Sequence, residues 1–221
     1  MREVVLDTET TGFDHRGNDR IVEIGCIELL NSVPTGKSYQ RYINPERDMP
    51  DGAFAVHGLS EAFLAKHPVF EAIVDEFLDF LDDSQLVIHN AEFDISFINA
   101  ELKRLDRSLL SMEQTLDTVR LARQTFPGAQ ASLDALCRRF QIDNSNRTLH
   151  GALKDADLLA SVYLELIGGR QPGLELASEN RSIDTIARRE TRTPRPHKPT
   201  TDEMVAHTQF VKRIEKPIWG A

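Results

Sequence analysis

Cysteine, tryptophan and long apolar runs are all scarce in this chain. Its 221 residues hold 2 cysteines and 1 tryptophan. Cys26 and Cys137 lie in apolar surroundings without metal-ligand spacing, which argues against a disulfide framework or a zinc site and reads as reduced core thiols. No apolar stretch approaches the roughly 20 residues of a membrane span. Met1-Arg2-Glu3 leads straight into a strand pattern without the h-region of a signal peptide. We therefore expect a cytoplasmic protein with no membrane partner.

Positive charge is also short over most of the length. Residues 1–169 carry 16 Lys+Arg against 28 Asp+Glu, net -12, while residues 170–221 carry 10 against 7, net +3, giving the chain's -9. Affinity for duplex DNA comes largely from Lys and Arg on phosphates, so the first region is a poor independent binder of it. If it acts on nucleic acid, metals and a protein partner must supply most of the attraction. What the chain does have is 40% hydrophobic content, enough for an α/β core plus an appendage.

Strand patterns cover 3–9, 20–30 and 37–43, with Ser32-Val33-Pro34-Thr35-Gly36 as the turn between the last two. They suggest an antiparallel meander. Residues 69–82 repeat apolar residues at helical spacing (Phe70, Ile73, Val74, Phe77, Leu78, Leu81), and Gln85-Leu86-Val87-Ile88 then returns to the sheet parallel to the first strand. Helical patterns follow at 92–105, 115–125, 132–140 and 152–167, the breaker Phe126-Pro127-Gly128 separating the middle two. The reading is a mixed sheet flanked by helices.

Three stretches place acids where a fold normally buries apolar groups. Asp7 and Glu9 continue the apolar run Val4-Val5-Leu6, and residues two apart in a strand share a face. Two carboxylates beside buried strand residues repel each other and lose solvent unless a cation neutralises them. Oxygen ligands of this kind suit Mg²⁺ or Mn²⁺. Taken alone, the pair is equally consistent with Asp7 opening a polar turn at Thr10-Thr11-Gly12.

In the helix read from Ala152, Asp155 shares one stripe with Leu159, Val162 and Leu166, whereas Asp157 shares a polar face with Ser161 and Glu165. Asp155 therefore needs a partner. His150, just before that helix, brings an imidazole suited to general-base chemistry near neutral pH. Asn90 suits the N-cap of the helix carrying Phe93, Phe97 and Leu102, and Asp94 falls in its first turn. By itself Asp94 reads as a favourable helix N-terminal charge. Four acids and one histidine at element ends form the pattern of a two-metal phosphoryl-transfer site.

Asp7-x-Glu9, His89-Asn90-x-x-Phe93-Asp94 and His150-x-x-x-x-Asp155 resemble the three motifs of the histidine-containing branch of the DnaQ-like 3′–5′ exonucleases. The likeness extends through Val56-His57-Gly58, Ser132-Leu-Asp-Ala-Leu-Cys137 and Thr148-Leu-His-Gly-Ala-Leu153, covers about the first 170 residues, and is nearest to the proofreading epsilon subunits of bacterial DNA polymerase III. It implies a ribonuclease H-like five-stranded sheet and two divalent ions, Mg²⁺ or Mn²⁺. On that likeness Asp7, Glu9 and Asp155 hold one ion, Asp7 also touches the second, Asp94 supports the second through water, and His150 is the base. Thr10, His57, Asn90 and Phe93, with Asp7, Glu9 and Asp155, fall at substrate-contacting positions. The implied substrate is a single-stranded or frayed DNA 3′ end; an RNA-trimming relative and a noncatalytic bridging subunit are the alternatives.

The resemblance implies three regions: an exonuclease domain at 1–169, a flexible linker at 170–200 and a polymerase-binding segment at 201–221. The linker is rich in Arg, Thr, Ser and Pro. Gln171, Leu174 and Leu176 resemble the family's sliding-clamp motif, with Leu176 departing from its usual final aromatic. Thr200-x-x-Glu203 is a capping box opening a weakly amphipathic helix with Phe210, followed by Trp219 as an interface anchor. In the family such a tail holds the polymerase alpha subunit. A small accessory subunit and a nucleoid-associated replisome complete the expected setting.

Overall fold

The computed structural model describes residues 1–145, 149–168 and 198–215. Two units divide the chain, Met1–Leu174 and Glu175–Ala221. The first is built on five strands, β1 (Arg2–Thr10), β2 (Ile21–Leu30), β3 (Val33–Tyr42), β4 (Gln85–Ile88) and β5 (Thr115–Asp117), in the order β3-β2-β1-β4-β5. The first three form an antiparallel meander, and β4 and β5 add on in parallel. Its helices are α1 (Asp51–His57), α2 (Glu61–Leu64), α3 (Phe70–Leu81), α4 (Ala91–Arg104), α5 (Thr118–Thr125), α6 (Leu133–Phe140) and α7 (Ala152–Leu166).

Strand alternation decides which helix each side chain meets. Val4, Leu6, Leu86 and Ile88 join one apolar cluster with α3 and α4, while Val5 and Val87 join a second with α5, α6 and α7. Continuing that alternation past Leu6 puts Asp7 and Glu9 on the α7 face and Thr8 on the α4 face. β1 is also where the chain's connections part, to β2 on one side and β4 on the other. Its carboxyl end is therefore the place where an α/β sheet opens a crevice.

Three sequence expectations are corrected. The β2–β3 turn is the pair Asn31-Ser32 rather than residues 32–36: both have positive φ (51° and 64°), as a tight two-residue hairpin turn requires, and Pro34 is tolerated because β3 lies at the sheet edge. Thr115–Asp117 is the fifth strand, and the helix read from Thr115 begins only at Thr118, capped by Asp117. Asn90 occupies the N-cap position of α4 but its side chain caps nothing. It sits in the left-handed region (φ 69°, ψ 56°), which asparagine tolerates, and its N–H donates to Asp117 Oδ1 at 3.1 Å. The short α1 and α2 precede α3 between β3 and β4.

In the second unit, α8 (Thr201–Val211) opens with the expected capping box: Thr200 Oγ1 accepts from Glu203 N and Glu203 reaches back to Thr200 N. None of its residues is buried, and Phe210 is 63% exposed. Gln171, Leu174, Leu176 and Trp219 lie outside the described residues. No helix among the described residues is long and apolar enough to cross a membrane.

Candidate active site

Asp7, Glu9, Phe93, Asp94, His150 and Asp155 all line one cleft of about 270 Å³ at the carboxyl end of β1, with Thr8, His89, Ser132 and Asp134 on its wall. The alternation of β1 explains the pairing inside it. Thr8 points toward α4 and holds Asp94: its backbone N–H and its hydroxyl both donate to Asp94 Oδ1, at 3.0 and 2.7 Å. Glu9, on the other face, meets α7. Ligand atoms of Glu9, His150 and Asp155 lie within 4.8 Å of one another.

Three carboxylates of this cleft are buried: Asp94, Asp155 and Glu9, at 2%, 3% and 8% exposure. Burial pushes the Asp94 carboxyl up to about 7, against the two Thr8 donors that favour its charge, and the charge of Asp117 adds to the rise. Burial thus works against the charged form of Asp94, and a cation beside it would favour that form. Among the described residues lining the cleft there is no lysine or arginine. A buried carboxylate set without a fixed cation fits a divalent ion, and its oxygen donors match Mg²⁺ or Mn²⁺ better than zinc.

Glu23 was not visible as a site residue in the sequence. It pairs with Glu9 across β1 and β2, accepts from Gln40 Nε2 at 2.8 Å and from Ala152 N at 3.1 Å, and so caps α7 in place of the absent side-chain cap at Gly151. Burial raises its carboxyl above the usual range, with a further contribution from Asp155. The only signal was a lone acid inside Ile21-Val22-Glu23-Ile24-Gly25-Cys26.

Beside it, Gly25 faces Asp7 and lets α7 approach the sheet. A Cβ there would stand 2.1 Å from Leu153 N and 2.2 Å from the Ala152 carbonyl carbon, both backbone atoms that cannot swing aside. Gly25→Ala is expected to cost about 3 kcal/mol or more by overpacking. A melting temperature lowered by about 6–12 °C would register it. An unchanged melting curve would show that α7 can lift without cost.

His150 is held by backbone and side chain. Its N–H donates to the Val56 carbonyl at 3.1 Å, and its Nδ1 lies 3.3 Å from Asp155 Oδ2 with the ring half exposed. The substrate-contact candidates are placed less uniformly. Phe93 packs on Phe97, with centroids 4.9 Å apart, while also lining the cleft. Asn90 lines an adjoining cleft rather than this one. Thr10 donates to the Gly12 carbonyl at 2.6 Å. His57 is buried, accepts from Leu59 N on Nδ1 at 3.0 Å, and is pushed below the usual imidazole range chiefly by that burial. Its buried Nε2 closes no hydrogen bond of normal geometry, although the Thr10 carbonyl is near enough to favour its protonation.

Sheet order, helix placement and this acid cleft define a nuclease of the ribonuclease H-like class. A family model described as Exonuclease matches residues 4–163, and the chain belongs to that family. Within it, the chain is similar to DNA polymerase III subunit epsilon of Rickettsia conorii, 50% identical over 224 residues covering 98% of this chain and 97% of the relative. It is similar to the same subunit of Escherichia coli at 40% identity over 230 residues, covering 97% and 94%. Among solved structures, exonuclease X in complex with 5′ overhanging duplex DNA is 26% identical with a TM-score of 0.58, covering 75% of this chain and 91% of that one. The nuclease domain of 3′hExo, a DEDDh family member bound to rAMP, shares the fold at 15% identity and a TM-score of 0.66, covering 76% and 92%. The resemblance read from the three motifs is borne out, and the enzyme is a 3′–5′ exonuclease.

Proposed function

We propose that the chain proofreads DNA synthesis as the exonuclease subunit of a bacterial DNA polymerase III, removing mismatched 3′-terminal nucleotides in the cytoplasm at the replisome. The observation that carries the chemistry is the cleft itself: four acids and one histidine from β1, α4 and the entry to α7, with no lysine or arginine among the described residues on its wall. Asp7, Glu9 and Asp155 would hold one divalent ion, with Asp7 shared and Asp94 reaching a second through water. Bound Mg²⁺ or Mn²⁺ supplies Lewis acidity and neutralises charge developing on the scissile phosphate.

The protein's own groups do the rest. His150 takes the proton of the attacking water, and its Nδ1 contact with Asp155 leaves Nε2 for that task. Thr8 fixes Asp94. Phe93, backed by Phe97, offers a face to the terminal nucleoside, with His57 and Thr10 around it, while Asn90 would meet the strand from the adjoining cleft. The acidic exonuclease domain, 1–169, gains its DNA by delivery rather than search, which fits attachment through a tether at 170–200 to a polymerase-binding segment at 201–221. There Phe210, which is exposed, would anchor the alpha subunit together with Trp219. Gln171, Leu174 and Leu176 would add a sliding-clamp contact, and a small accessory subunit could join the assembly.

A 5′-labelled primer annealed to a template with one 3′ mismatch tests this directly. With Mg²⁺, the mismatched primer is expected to shorten stepwise and faster than a matched one, and an RNA of the same sequence to survive longer. Equal digestion of RNA would favour the ribonuclease alternative. No digestion of any substrate would favour a bridging role.

A further inference from the structure

A second cleft, of about 830 Å³, adjoins the acid cleft and shares His89 and Ser132 with its wall. We infer that it is the track for the DNA strand upstream of the scissile bond, with Arg120 and Arg123 as the phosphate contacts. This rests on the exonuclease reading and adds to it a site for the part of the substrate that is not cleaved.

Size is the first argument. The acid cleft, at about 270 Å³, is at the lower end of cavities that hold one small ligand, near 300 Å³. It has room for a terminal nucleotide and little more, so the remaining strand must leave through a neighbouring depression. Connectivity is the second. The scissile phosphate links the terminal nucleoside to the one before it, so the two nucleosides must extend to opposite sides of the acids. Phe93, on the wall of the acid cleft, takes the terminal nucleoside in the proposed reading. His89 and Ser132 line both clefts, so a strand leaving the acids past them enters the larger one.

Charge is the third argument. Arg120 and Arg123 are exposed, one turn apart on α5, about 4.5 Å along the helix axis, and both line this cleft. Among the described residues neither guanidinium is committed to an ion pair. Two uncommitted arginines on one helix in a domain of strongly negative charge suit phosphate oxygens, which guanidinium binds in bidentate fashion. Two acids share the wall. Asp117 has its Oδ1 occupied by the N–H groups of Asn90 and Val119, at 3.1 and 2.9 Å, and Glu92 is exposed in the first turn of α4.

The test compares two substrates with the full chain in Mg²⁺ or Mn²⁺: a ten-nucleotide single strand, and a p-nitrophenyl ester of thymidine 5′-monophosphate, which has no upstream phosphates. For Arg120→Gln/Arg123→Gln, the KM for the strand is expected to rise about tenfold or more with kcat within twofold, and ester turnover to stay within twofold. The slope of log(kcat/KM) against log[salt] should flatten by about 1.4, at about 0.7 per lost phosphate contact on a single strand. An unchanged KM and salt slope would overturn the track. So would a parallel fall on both substrates, which would assign the arginines to folding or chemistry instead. Failure of the unsubstituted protein on both substrates would overturn the exonuclease reading beneath it, a result distinct from either.

Discussion

Asp155→Asn is expected to lower exonuclease turnover by at least about 10³-fold, equivalent to about 4 kcal/mol of barrier, without unfolding the protein. Asp155 is 3% exposed on the inner stripe of α7, next to Glu9 and His150. In the proposed site it donates an oxygen to a divalent ion whose charge stabilisation is worth several kcal/mol in the transition state. Asparagine keeps the shape and one oxygen but loses the charge. In metal-free protein the same change removes a negative charge that presses on Glu23. The melting temperature in chelator should therefore be equal or higher. A divalent ion should raise the melting temperature of the unsubstituted protein by mass action, about 2.7 kcal/mol at one hundred times the dissociation constant, and raise that of the variant much less. Loss of activity together with a lower metal-free melting temperature would mean that Asp155 is mainly structural.

His150→Gln is expected to lower kcat by about 10²- to 10⁴-fold, the range for a positioned general base, while the metal concentration for half-maximal activity stays within about threefold. The geometry makes this a demanding test. His150 Nδ1 lies 3.3 Å from Asp155 Oδ2, and its ligand atoms fall within the same 4.8 Å cluster as those of Glu9 and Asp155. A histidine so placed could bind metal instead of moving a proton. Glutamine retains a polar contact to Asp155 but cannot act as a base near neutral pH. If the metal requirement rises in step with the loss of turnover, His150 is a ligand and the proton acceptor lies elsewhere.

Most of the sheet was legible because its signals are local. The alternation of β1, the short apolar β4 and the apolar stripes of α3 and α7 lie within one or two residues of their expected bounds. The same alternation already placed Asp7 and Glu9 on one face, and the inner stripe of α7 already demanded a partner for Asp155. What local patterns missed depends on neighbours distant in sequence. Thr115–Asp117 is a strand only because β4 offers it a parallel edge. Glu23 reads as an isolated acid until Ala152, 129 residues later, donates to it. Asn90 looks like a cap, yet its left-handed backbone turns its N–H to Asp117 instead. The burial of His57 follows from the packing of α1, which the sequence did not mark as a helix.

The central claim is metal-dependent hydrolysis from a DNA 3′ end at the acid cleft. A single strand labelled on its 5′ nucleotide, sampled over time with Mg²⁺ and again with chelator, tests it most directly. The account predicts a ladder that shortens one nucleotide at a time and stops in chelator. Early release of the labelled nucleotide, or continued cleavage in chelator, would contradict it.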